Sequence, residues 1–169
     1  MSIELQDALS NVRRFRPVAW EQIPDLGLYM DQVITFISRA CQPLYGQDAR
    51  GCISAPMINN YVKGKLIPRP AGKKYSREQI ALLSMIVTLK QVSSMEDIRR
   101  MLELREGETV EALYTAFCDR FTQAVQAIRA PETGDANGPL RASLDLAIMA
   151  SAYRAGCGAA LTAQEPTEV

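Results

Sequence analysis

Asn59 and Asn60 stand side by side in a stretch of the chain where cations gather and no acid intervenes. From Ala49 to Arg77 there are seven lysines and arginines and no aspartate or glutamate. An asparagine amide can pair in bidentate fashion with an adenine edge in the major groove, and lysine and arginine side chains neutralise backbone phosphates. The chemistry on offer is recognition of a nucleic acid. The plainer readings are a solvated basic loop and a polar helix surface. Against them, adjacent asparagines are poor helix formers, each costing roughly 0.5 kcal/mol or more relative to alanine.

Catalytic chemistry has little to work with. The chain has no histidine, which removes the commonest general base. Asp25 and Asp31, and Glu106, Glu108 and Glu111, sit at expected helix starts, where acids are ordinary partners of the helix dipole. No glycine-rich phosphate cradle or nucleophile elbow is present. Cys41, Cys52, Cys118 and Cys157 show no CxxC spacing, so a zinc site of the usual Cys/His kind is excluded. The expectation is a non-enzyme without a cofactor.

Charge distribution sharpens the picture. The 169 residues balance 19 basic against 19 acidic side chains, yet outside 49–77 the chain carries twelve basic and nineteen acidic residues, a net −7. One positive segment is thus set on an acidic body. The start, MSIELQDALS, lacks the layout of a signal peptide, and no apolar run approaches the ~20 residues that span a bilayer. Four scattered cysteines suit a reducing compartment. A cytoplasmic protein without membrane contact is expected.

The elements that must position the basic segment are helices. Ile3, Leu5, Ala8, Leu9 and Val12 mark a first helix, and 16–25 reads as extended, with Trp20 as its anchor. Tyr29, Met30, Val33, Phe36 and Ile37 recur at three-and-four spacing, which predicts a helix over 26–41 and a loop over 42–51. Ser54 caps a short helix with Pro56 in its first turn, ending near Gly64. Ile58, Tyr61 and Val62 share one side of it; Pro56, Asn59, Asn60 and Lys63 share the other. LIPRPAGKKY, 66–75, predicts two short arms, Leu66-Ile67 and Lys74-Tyr75, around a Pro/Gly turn. Ser76 with Gln79 forms a capping box for a helix to about Gln91 that is apolar nearly all round. Ser94 caps another. Val110, Tyr114, Phe117, Phe121, Ala124 and Ile128 stripe a helix over 108–130; 131–139 reads as a linker, 140–157 as a small-residue helix, and the tail after Thr162 as frayed.

Helix, basic hairpin, capped buried helix and second capped helix, in that order, make a winged helix-turn-helix. The stretch MINNYVKGKLIPRPAGKKYSREQIALLSMIVTLKQVSSMEDIRRML, 57–102, resembles the N-terminal DNA-binding half of MerR-type regulators. WEQIPDLGLYMDQVITFI, SAPMINNYVKGKLIPRP and KKYSREQIALL resemble more closely a bacterial family, domain of unknown function 1836, itself regarded as MerR-like. Relative to MerR proteins, Asn59 and Asn60 replace the usual Arg-Tyr, and Lys65 replaces the usual glycine. Helix 26–41 and its following loop replace a short first helix and tight turn.

The expected architecture is all-α: a MerR-like winged helix-turn-helix with a small two-stranded wing plus C-terminal helices. The winged region with its N-terminal helices spans 1–107. A helical region over 108–160 packs on it or mediates dimerisation, and 161–169 is the tail. The expected function is transcriptional regulation by binding double-stranded DNA. The alternative is a protein-interaction module whose basic wing holds an acidic partner. Candidate contact residues are Asn59, Asn60, Tyr61, Lys63, Lys65, Arg69, Lys73, Lys74, Tyr75 and Arg77. A homodimer through the stripe on 108–130 is expected, because two-fold operators suit two-fold proteins. A small-molecule effector is left unassigned.

Overall fold

The computed structural model describes residues 3–129 and 138–163. Among these are seven α-helices and two 3-10 turns, and no strand. The helices are α1 (Ile3–Arg14), α2 (Met30–Tyr45), α3 (Ala55–Lys63), α4 (Arg77–Leu89), α5 (Met95–Leu102), α6 (Val110–Ala127) and α7 (Gly138–Thr162). The all-α expectation therefore holds at that level. No helix among the described residues is long and apolar enough to cross a membrane. The expected linker over 131–139 and the tail beyond Ala163 fall largely outside the described residues.

Two compact units divide the chain: residues 11–127, and a second formed by 1–10 with 128–169. The first unit reaches beyond the expected boundary at 107 because the stripe on α6 is used inside it. Tyr114 is buried and its hydroxyl donates to the Val18 carbonyl at 2.7 Å. Phe121 meets Phe15 edge-on at 5.8 Å and stacks with Phe117 at 5.9 Å. Trp20 lies 6.2 Å from the Tyr114 ring, which ties the 16–25 segment to the core as expected. A stripe committed to these partners is not a free dimer seam.

Helix α4 is the centre of this unit. Ile80 to Leu83 and Met85 to Val87 are all buried, as an all-round apolar helix must be in water. Its start carries the expected capping box: the Gln79 amide donates to Ser76 Oγ at 3.3 Å, and the Ser76 amide donates to Gln79 Oε1 at 2.8 Å. Gln79 is itself buried, and its Nε2 donates to the Pro68 carbonyl at 2.9 Å. One side chain thus starts α4 and fastens the hairpin that precedes it. Gln79→Leu keeps the volume and loses both links, so chemical denaturation should show a loss of about 1–2 kcal/mol.

Two expectations need correction here. Helix α2 begins at Met30 and runs through Pro43 to Tyr45, followed by a 3-10 stretch from Gly46 to Gly51 in place of an open loop. Pro43 has no N–H to give to the Arg39 carbonyl, so one ladder bond is absent in the last turn of α2. The hairpin is likewise not a two-stranded ribbon. Ala71 and Lys74 form one antiparallel bridge, and Tyr75 pairs with Leu28. Pro68 and Pro70 have no N–H to give to a ladder, and the Leu66 amide is spent on the Tyr61 carbonyl at 2.9 Å.

Candidate nucleic-acid interface

Helix α3 presents the asparagines as its sequence requires. Ile58 and Tyr61 are 0% and 6% exposed and face the core, while Pro56, Asn59, Asn60 and Lys63 are exposed. Ser54 occupies the extended cap position, though its side chain makes no cap bond. Two cations from other helices clamp the ends of this segment. Lys90 Nζ donates to the Cys52 carbonyl just before α3, and Arg99 donates to the Gly64 carbonyl at 2.7 Å just after it. Neither was among the sequence candidates. The only hint for Lys90 was a lone charge closing an otherwise apolar helix. Burial pushes the Lys90 ammonium below its ordinary pKa, with Cys52 and Cys41 acting weakly the other way.

The end of α3 is closed by a paired turn. Lys65 N–H donates to the Val62 carbonyl at 3.1 Å, and Leu66 N–H to Tyr61, the bonding of a Schellman motif. That motif puts Lys65 in the left-handed region, at φ +59°. The hairpin turn does the same to a second lysine. Lys74 N–H donates to the Ala71 carbonyl at 3.0 Å across Gly72 at φ +55° and Lys73 at φ +67°; positive φ at both central residues marks a type I′ turn. Glycine serves such positions without the Cβ clash that costs other residues about 1 kcal/mol. Lys65 and Lys73 are the positive-φ non-glycine residues among those described.

Lysine at both places therefore works against local stability. Lys65→Gly and Lys73→Gly should each raise stability by about 0.5–1 kcal/mol, after allowing for the greater unfolded-state freedom of glycine. Thermal melts of the two variants would show this directly, and a fall in midpoint would remove the strain argument.

The cations themselves are left open. Lys63, Lys65, Arg69, Lys73 and Lys74 are all exposed. Ion pairs join Arg77 to Asp25 at 3.5 Å and Arg99 to Glu96, and none of these five cations takes part in one among the described residues. Lys74 instead lies 5.3 Å above the Tyr29 ring.

Three of the ten candidate residues are placed elsewhere. Tyr61 and Tyr75 are 6% and 2% exposed, and burial pushes both phenols above their ordinary pKa, with Cys52 adding to the effect at Tyr61. They are neutral core side chains whose burial orients α3 and the hairpin. Arg77 donates from Nε to the Ile23 carbonyl at 2.8 Å, pairs with Asp25 and lies 5.7 Å from the Trp20 ring. It holds the 20–25 segment in place. Gly27, at φ +73°, allows that segment to approach the hairpin exit: a Cβ there would come within 3.2 Å of Lys74 Cβ. Asn59, Asn60, Lys63, Lys65, Arg69, Lys73 and Lys74 are exposed on α3 and its hairpin; Asn59, Arg69 and Lys73 line one hollow, and Lys65 lines another beside Glu96 and Glu103.

The motif residues and their scaffold coincide with a known family model, which matches residues 18–117 and is described as a domain of unknown function (DUF1836). The chain belongs to the DUF1836 family. The matched span takes in α2 to α5 and the start of α6, which is the scaffold of the cationic surface. Residues beyond 117, including α7, lie outside the DUF1836 match. No curated protein and no solved structure matches the chain. DUF1836 membership identifies the fold unit and assigns no chemistry to it.

Proposed function

We propose that this DUF1836 protein is a transcriptional regulator that binds double-stranded DNA through a MerR-like winged helix-turn-helix. Helix α3 enters the major groove, where Asn59 and Asn60 meet base edges. Lys63 and Lys65 at its end, and Arg69, Lys73 and Lys74 on the hairpin, meet the flanking phosphates. The protein works as a binding module in the cytoplasm and catalyses nothing.

The observation that carries this reading is the pair of left-handed lysines. Backbone strain held in a sparsely populated region persists where the residue is needed for something other than stability. Here both strained residues are cations and both are exposed, one at the end of α3 and one on the hairpin that follows it. Neither forms an ion pair among the described residues. Phosphates are the counterpart that suits them, because each contact releases condensed counterions.

Genome-wide mapping of the binding sites of the native protein tests the reading. Enrichment of a shared short sequence is expected. Recovery of no DNA, with retention on an acidic protein instead, would contradict it.

A homodimer remains part of the proposal, but its seam moves. With the α6 stripe occupied, the exposed apolar residues Leu140, Leu144, Ile148 and Tyr153 run along α7. Leu140, Leu144 and Ile148, spaced by four residues, lie near one face, and Tyr153 is turned away from it. Ile148→Glu should shift sedimentation at high micromolar concentration from dimer to monomer while the melt of residues 11–127 stays put.

A further inference from the structure

A cavity of about 730 Å³ opens beside Asn59, walled by α2, α3 and the hairpin. Its volume lies in the range of small-molecule sites, roughly 300–1,000 Å³. Met30, Ile34 and Val62 form an apolar floor, while Arg69 and Lys73 bring two cations to the wall. Asp31 also lines it, leaving that wall with one net positive charge. Neither Arg69 nor Lys73 has an acidic partner among the described residues.

Duplex binding does not account for this shape. Phosphates meet exposed cations on a convex surface and have no use for an apolar hollow beneath them. An apolar floor under a cationic wall instead fits a molecule with the same division, a body without charge and one acidic group. Arg69 offers the planar fork that takes a carboxylate by two parallel hydrogen bonds. We infer that the cavity binds a small organic carboxylate with an apolar, ring-sized body, and that this ligand displaces DNA. The second half rests on the DNA-binding reading above. Asn59, Arg69 and Lys73 line the cavity and also belong to the proposed DNA surface, so the two occupants compete for the same side chains.

The test uses the full chain and 2-naphthoate as probe, followed by calorimetry and by amide resonances, first without DNA. Saturable binding is expected, with shifts at Met30, Ile34 and Val62. Neutral 2-naphthamide and inorganic phosphate should each bind at least about tenfold more weakly, since each lacks one half of the match. Arg69→Gln changes an exposed side chain, keeps the fold, and should weaken naphthoate by about tenfold. Equal binding of naphthoate by that variant, equal binding of phosphate alone, or shifts confined to other residues would overturn the site. Duplex titrations with and without naphthoate then separate the two readings. Protein that binds duplex but not naphthoate overturns the pocket alone; protein that binds naphthoate but not duplex overturns the DNA reading and the competition with it.

Discussion

Replacing Lys63, Lys65, Arg69 and Lys73 together with glutamine should cut affinity for any double-stranded DNA about a thousandfold per bound protomer at about 0.1 M salt. Each phosphate contact releases close to one condensed counterion, which at that salt is worth about 1 kcal/mol. Four contacts therefore remove roughly 4–5 kcal/mol, independent of sequence. The loss should be the same on unrelated duplexes, because phosphates carry no sequence. Stability should hardly move, since these side chains are exposed and make no ion pair among the described residues. A smaller change, Lys73→Ala with Lys74→Ala, should make the log–log salt slope shallower by up to about 2 per protomer. An unchanged slope with duplex binding intact would take the hairpin out of the interface.

Specificity should fail separately from affinity. Asn59→Ala and Asn60→Ala leave the core untouched, because both side chains are exposed on α3, and alanine raises helix propensity by roughly 0.5 kcal/mol each. If either amide reads a base, its loss should cost about 1–3 kcal/mol on the preferred site and flatten discrimination at particular base pairs. Uniform weakening on every duplex would reassign that residue to phosphate. Undiminished discrimination in both variants would return the asparagines to a plain polar surface. Competition binding against a randomised duplex pool reads all three outcomes in one experiment.

How much of this was legible in the chain depended on how local the cause was. Capping at Ser76 and Ser94 is a matter of three residues, and both caps formed where the sequence put them. The two-sided pattern of α3 is set within nine residues, and Ile58 and Tyr61 turned inward while Asn59 and Asn60 turned out. Helix α4 was central because from Ile80 to Leu89 only Ser84 and Thr88 interrupt its apolar residues. Lys65 standing for a glycine was visible as an oddity, but its meaning needed a dihedral angle.

Non-local causes stayed hidden. Tyr75 pairs with Leu28 from the far side of α2 and α3, a partner no neighbouring residue indicates. Tyr61, Tyr75 and Arg77 are of types that suit nucleic acid, yet tertiary packing claimed all three. Arg77 in particular found Asp25, the Ile23 carbonyl and the Trp20 ring at once. The α6 stripe had the recurrence of a dimer seam, but Phe15, Val18 and Trp20 reached it first. Sequence period identifies an apolar face; which surface covers it is decided by where the rest of the chain folds. Lys90 and Arg99 were missed for the same reason, since their work is to hold carbonyls of distant residues.

The salt dependence of duplex binding by the unaltered protein bears most directly on the central claim, that strained and unpaired cations at the end of α3 and on its hairpin are kept for phosphate. Fluorescence anisotropy of a labelled duplex, titrated at several salt concentrations between about 50 and 200 mM, should give a straight log–log line with slope near −4 per protomer, from about −0.9 for each of four contacts. Absence of binding at the lowest salt, or an affinity indifferent to salt, would contradict it.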